Sequence, residues 1–239
     1  LLMEGTLLGR ESVGEQSEAS LQTVLQDDLA KCGGLALLMF SPQNVDRLRT
    51  MLAAARATDR LLVADAYTLF VLHCIWRQAR LPNPFDPANG IRVWFPDGYQ
   101  DFGKSKSLRN VAHRLPAISL TKDQILADPR RHALVFRGWM AGKFPELVAA
   151  SRLAVFSYWS GYQDTENTSL LRKQLESKGV RWLHRHASGH IRHDDLLAFI
   201  RKVQPKTLIP MHTETGDQFV KYLQEQHIRR LNDGEVFAF

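Results

Sequence analysis

From Leu35 onward, short apolar runs alternate with helical stretches, and this alternation restricts the fold more than any other feature of the chain. The run Leu35–Phe40 (LALLMF) leads through a Ser-Pro start into a helical pattern from Asn44 to Ala57, which is followed by a second run, Leu61–Ala66 (LLVADA). A strand, helix, strand unit with short apolar strands implies a mostly parallel sheet in an α/β fold. The pattern continues with a helix over Thr68–Gln78 and two more apolar runs, His132–Trp139 (HALVFRGW) and Leu153–Trp159 (LAVFSYW). After these come a helix at Asn167–Lys178, a strand at Val180–Leu183, a helix at Asp194–Val203, a strand at Thr207–Met211 and a last helix near Gln218–Gln226. No internal repeat is present.

Between Arg80 and Arg109 the pattern breaks down into prolines (Pro82, Pro84, Pro87, Pro96), glycines and the basic run GKSKS at Gly103–Ser107, which reads as a surface excursion. GKSKS is not a nucleotide phosphate loop, because that motif needs a glycine five residues before its Gly-Lys pair, directly after a strand. It is expected to be a solvated basic loop.

Composition excludes several classes. The 239 residues are 44% hydrophobic and 23% charged, as in an ordinary folded protein long enough to bury a large core. No apolar run reaches the roughly 20 residues that cross a bilayer, and the amino end lacks the order of a secretion signal, so a cytoplasmic protein without a membrane partner is expected. Two cysteines, Cys32 and Cys74, cannot build a disulfide framework or an all-cysteine zinc site. Both are expected to be buried apolar residues. A net charge of +6 favours polyanionic partners without selecting one. The opening Leu1-Leu2-Met3 is strand-like with no polar lead, and reads as a cut through a folded domain.

The chemistry concentrates near the carboxyl end, in HRHASGHIRHDD (His184–Asp195) followed by KTLIPMHTE (Lys206–Glu214). If the strands before these two loops are parallel neighbours, their carboxyl ends open on one sheet edge, where open α/β sheets place their sites. His186 and His190 would then meet His212 around one ion or one phosphate. The Ser188-Gly189 turn before a helix can present successive N–H groups to an anion, and Asp194 and Asp195 suit a first helical turn. His184 reads as a half-buried strand residue, and His193 and His227 as surface residues.

The pair HASGH and IPMHTE, separated by an amphipathic helix, resembles the end of β-CASP nucleases such as ribonuclease J and the cleavage and polyadenylation endonuclease. LLMEGT is similar to the strand carrying that group's first acidic motif, and SPQNVDRLRTML with LLVADAY resembles the start of its cap domain. The resemblance implies a partial metallo-β-lactamase αββα sandwich, residues 1–15 and 150–239, with an inserted α/β β-CASP cap, residues 16–149. It implies Glu4 as the acidic motif, His190 as the second and His212 as the third, histidine at the last position favouring RNA over DNA. In that group two zinc ions polarise the phosphate and activate water. His212 would be a metal ligand, His190 would protonate the leaving oxygen and Glu4 would orient it, while His186, Ser188 and Gly189 would grip phosphate oxygens. Ser157 and Ser160, in the strand-to-loop segment SYWSG, are further phosphate-contact candidates; the other reading of that segment is an ordinary turn with a packed Trp159. The cap would clamp single-stranded RNA against the site.

The chain departs from the family at one point: the HxHxDH motif that supplies most zinc ligands is absent. With His212 as the single matched ligand, the chain alone is not expected to hold two zinc ions tightly or to cut RNA at a useful rate. The expectations are therefore zinc-dependent RNA hydrolysis in an intact protein, a non-catalytic RNA- or protein-binding module, or a small-ester metallohydrolase of the same fold. Homo-oligomerisation stays open.

Overall fold

A computed structural model describes residues 1–8, 17–96, 111–214 and 216–238. Its strands are β1 (Leu2–Glu4), β2 (Leu35–Met39), β3 (Leu61–Ala64), β4 (Ile91–Val93), β5 (His132–Val135), β6 (Ser151–Phe156), β7 (Arg181–His184) and β8 (Ile209–Met211). The helices are α1 (Glu18–Ala30), α2 (Val45–Ala57), α3 (Ala66–Ile75), α4 (Lys122–Ala127), α5 (Met140–Lys143), α6 (Pro145–Ala150), α7 (Glu166–Glu176), α8 (His193–Val203) and α9 (Asp217–Tyr222). No helix among the described residues is long and apolar enough to cross a membrane.

The fold is mixed α/β with parallel sheets, in two compact units: Ser17–His186, and Leu1–Gln16 with Ala187–Phe239. In the larger unit six parallel strands are ordered β4-β3-β5-β2-β6-β7. The central strand β2 is buried at all five positions, which is why LALLM carries no polar alternation. β6 pairs with β2 from Leu35↔Ser151 to Met39↔Phe156, and β7 pairs with β6, so residues 150–186 fall in the larger compact unit and not, as expected, with the terminal segments.

Two more expectations need correction. β7 and β8 are not neighbours, because β7 edges the six-stranded sheet whereas β8 pairs with β1 in a separate two-stranded sheet. The stretch from Arg80 is not wholly a surface excursion: Ile91 and Val93 are fully buried in β4, which pairs with β3. Three residues are too few to leave a periodic signal, and the surrounding prolines hide them. GKSKS lies outside the described residues. Cys32 is buried as expected, but Cys74 is exposed, and α1, which the alternation of runs leaves unmarked, buries Leu21, Leu25 and Leu29 at four-residue spacing.

A buried cation, Arg47, ties several elements of the larger unit together. The Arg47 side chain is 1% exposed. Its Nε and Nη2 donate to the Glu18 carboxylate at 2.9–3.3 Å, and Nη1 donates to the Ser157 carbonyl at 2.9 Å. Thr50 Oγ1 adds a bond to Glu18 at 2.8 Å. Arg47 therefore ties α1 and α2 to the end of β6. Removing Arg47 takes its donors from the Ser157 carbonyl and from Glu18, which is 29% exposed and keeps the Thr50 bond, at a cost of about 1–3 kcal/mol. Arg47→Ala is expected to lower unfolding free energy by about that amount, measured by urea denaturation followed by circular dichroism.

His132, at the start of β5, supplies a pH dependence. Burial depresses its pKa below the ordinary 6.5, and this outweighs its Nδ1 contact to the Asp128 carbonyl at 2.8 Å and the Asp128 charge. The unfolded chain then binds a proton at higher pH than the folded one. Its contribution to stability is full above 6.5 and is lost as pH falls through the depressed folded value. The urea midpoint should fall on acidification through that window, and should fall less in His132→Gln.

Candidate metal centre

The smaller unit brings three of the expected site residues together. β1 and β8 pair in parallel, with Leu2 opposite Ile209 and Glu4 opposite Met211, so Glu4 and His212 emerge at the same end of the two strands. The strands rest on an apolar cluster of Leu8, Leu196, Leu197, Ile200, Leu208, Phe219 and Leu223. In α8 the buried residues Leu196, Leu197 and Ile200 recur at helical spacing.

Gly5 is required by packing. A Cβ there would lie 2.4 Å from Cε2 of Phe219, a fully buried ring, and 3.2 Å from Thr213 Oγ1. The absence of a side chain lets the chain turn directly over Phe219 after Glu4. Gly5→Ala should overpack this point and destabilise the smaller unit by about 1–3 kcal/mol, seen as a lower thermal midpoint and shifted imidazole resonances of His190 and His212.

Glu4 is held on both oxygens. Oε1 accepts the Ile191 N–H at 2.9 Å, and Oε2 accepts the Thr6 N–H at 3.0 Å and lies 3.3 Å from His190 Nδ1. Burial raises the carboxyl pKa, but hydrogen bonds from Thr6 and the Ile191 amide, with the coulombic effect of His190, more than offset this and hold it below its ordinary value. The carboxylate is thus kept ionised, fixes the loop entering α8 and leaves His190 Nε2 as the nitrogen turned away from Glu4.

His212 adopts φ +48°, in the left-handed region that costs a non-glycine residue on the order of 1 kcal/mol or more. Thr6 Oγ1 lies 3.0 Å from His212 Nδ1 and donates to the His212 carbonyl at 3.1 Å. One hydroxyl proton cannot serve both, so with Oγ1–H on the carbonyl, Nδ1–H donates to Oγ1. That tautomer leaves the Nε2 lone pair for a ligand. Thr213 Oγ1 bonds the Gly5 carbonyl at 3.0 Å, stitching the two strand ends a second time. Thr6 and Thr213 carry no signal of their own in the sequence, although Thr6 lies two residues after Glu4 and Thr213 directly follows His212.

The donor atoms of Glu4, His190 and His212 lie within 4.8 Å of one another, and the two imidazoles stack at 5.7 Å. Two imidazoles and a carboxylate are a donor set that zinc accepts, with three protein ligands leaving a position open for water or substrate. A cavity of about 270 Å³ adjoins His212, lined by Thr6, Thr213 and Glu214.

The other expected residues are placed as follows. Ser188 Oγ accepts the His190 N–H at 3.2 Å, and Gly189 has open space where a side chain would stand. His186 belongs to the larger unit, where its Nδ1 is 3.4 Å from Arg47 Nη1 and its ring stacks on His184 at 6.0 Å. Burial, with the Arg47 charge, depresses its pKa. Ser157 is buried, bonded to Arg47 and to the Arg185 carbonyl, whereas Ser160 is exposed in a short 3₁₀ turn, Ser160–Tyr162. His184 is half-buried, its Nε2 2.9 Å from the Tyr158 carbonyl; His193 is half-buried and edge-on to Tyr222; His227 is exposed.

Residues 179–231 match the family described as the Zn-dependent metallo-hydrolase RNA specificity domain. That segment contains His186, His190 and His212, the strands β7 and β8 and the helix α8 between them. No curated protein matches the chain. Among solved structures the chain is similar to a protein of unknown function from Enterococcus faecalis V583, with a TM-score of 0.67 and 20% identity over 97% of this chain and 49% of that one. The chain spans about half the length of that protein, and the likeness is one of fold.

Proposed function

We propose that the chain is part of a zinc-dependent hydrolase of RNA phosphodiester bonds, of the metallo-β-lactamase fold, with Ser17–His186 as its β-CASP cap. The observation that carries this reading is the convergence of Glu4, His190 and His212, two ends of the sequence meeting in one three-donor cluster. The match of residues 179–231 to an RNA specificity domain of zinc-dependent metallo-hydrolases supports it.

His212, through Nε2, is the residue proposed to hold zinc. A bound zinc ion would polarise a phosphate oxygen and bring the pKa of water to near neutral. His190 is proposed to deliver a proton from Nε2 to the leaving oxygen, while the Glu4 carboxylate at Nδ1 orients the ring. Ser188 and Gly189 would offer polar groups to phosphate oxygens beside His190. In the larger unit, Ser160 is open to solvent and is proposed as a phosphate contact, with His186 a second contact whose ring is held by Arg47. Ser157, its hydroxyl already spent on Arg47 and Arg185, would contribute to that loop chiefly by shaping it.

One observation favours a second reading. Among the described residues, Glu4, His190 and His212 are the one group of three or more metal-capable side chains, and a two-ion site needs further donors. A module that binds RNA without cutting it fits that donor count.

The test is zinc titration of the purified chain by calorimetry, followed by incubation with single-stranded RNA, the matching DNA and a small phosphate ester. Saturable zinc binding that weakens at least about tenfold in His212→Ala is expected, since that variant removes a whole ligand. In His190→Gln, any RNA cleavage shown by the wild-type chain should be lost, while zinc binding should weaken less than in His212→Ala. Bound but uncut RNA would select the second reading. Rapid turnover of the small ester with intact RNA would overturn the RNA assignment.

A further inference from the structure

The larger unit leaves five large apolar side chains exposed among its described residues, Tyr67, Trp139, Trp159, Tyr162 and Leu170, at 45–58%. They are not scattered. Tyr67 stands in the first turn of α3, three residues after β3; Trp139 directly precedes α5, four residues after β5; Trp159 and Tyr162 follow β6, and Leu170 lies near the start of α7, which the same connection feeds. Since all six strands are parallel, every one of these positions is on the carboxyl edge of the sheet.

Trp159 is set in place there. Its ring lies over Gly161, where a Cβ would come within 2.2 Å of Cζ3, and Tyr162 meets it edge-on at 5.6 Å and 88°. The ring is therefore fixed, yet 58% of the residue's surface stays open. On the same edge a cavity of about 440 Å³ is walled by Trp139, Leu170 and Leu171 and rimmed by Asn167 and Gln174. Lys143 places its ammonium 5.7 Å from the Trp139 ring.

We infer that this carboxyl edge is a stacking site for the unpaired bases of single-stranded RNA, with Trp159 and Tyr162 as its platform and the Trp139 cavity as an adjoining base pocket. The inference rests on the RNA reading above and adds to it the residues that hold the strand by its bases. Four of the five exposed side chains are aromatic, amide groups rim the cavity, and the chain carries a net charge of +6. Flat faces with amides and cations nearby suit bases on a polyanionic strand, because every base offers a π-face whatever its sequence.

The test uses the full chain in the presence of a chelator, so that cleavage does not enter, and reads fluorescence anisotropy of two labelled oligomers: a short single-stranded oligo(A) and an abasic strand of equal length. The wild type should bind oligo(A) about tenfold or more tightly than the abasic strand. The double variant Trp159→Ala/Tyr162→Ala should lose most of that preference, with affinity for the abasic strand unchanged. Gly161→Ala, which displaces the Trp159 ring while keeping it, should lose part of it. Both positions are exposed, and circular dichroism checks that the fold is kept. Equal preference for oligo(A) in wild type and variants would overturn the stacking site and leave the RNA reading standing. Failure of the wild type to bind either strand would overturn both, and cross-linking would then ask whether the aromatic edge docks protein.

Discussion

Two strands of three residues each, β1 and β8, pair in parallel from positions more than two hundred residues apart, and the site depends on that pairing. Strands so short contribute few ladder bonds, so their register is fixed by other means. Apolar packing on α8 and α9 holds them from below. Thr6 to His212 and Thr213 to Gly5 clamp their ends from above. Glu4 extends the arrangement by accepting the Ile191 amide, which puts the loop before α8 against the strand ends. His190 then sits beside a carboxylate that is ionised, and His212 presents Nε2 because Thr6 occupies its other ring nitrogen.

The larger unit follows a different logic. Its parallel sheet buries apolar strands and sends all carboxyl-end loops to one edge, so polar and aromatic residues after the strands gather there irrespective of their order in the chain. Arg47 stabilises that edge from inside by bonding Glu18 and the Ser157 carbonyl at once. Arg137 does similar work from the end of β5, donating to Asp65 after β3 at 2.7 Å and to the Phe40 carbonyl after β2 at 3.2 Å. The aromatic platform is therefore carried on braced loops, as a surface meant to hold a ligand in one geometry must be.

Much of this was legible residue by residue. The strand and helix runs fall within one or two residues of their observed bounds at α2, α7, β7 and α8, because each has a strong period and a clear stop. Glu4, His190 and His212 were legible through the motifs that hold them. The expected route to their convergence was not the real one: the sequence suggested β7 and β8 as neighbours, whereas β8 pairs with β1 and β7 with β6. A one-dimensional pattern marks a strand as buried and parallel but carries no information on which strand lies beside it.

By itself the sequence determined the α/β class, the run of elements after Leu35 and the identity of the titratable groups, because hydrophobic period and side-chain chemistry are local properties. Only the tertiary structure decided that β4 is buried among prolines, that Ser157 is consumed by Arg47, that Thr6 sets the ring orientation of His212, and that Trp159 stays exposed although its ring lies over Gly161. Each of these depends on a partner distant in the chain, on burial or on the spare space over a glycine, and such quantities exist only once the chain has closed on itself.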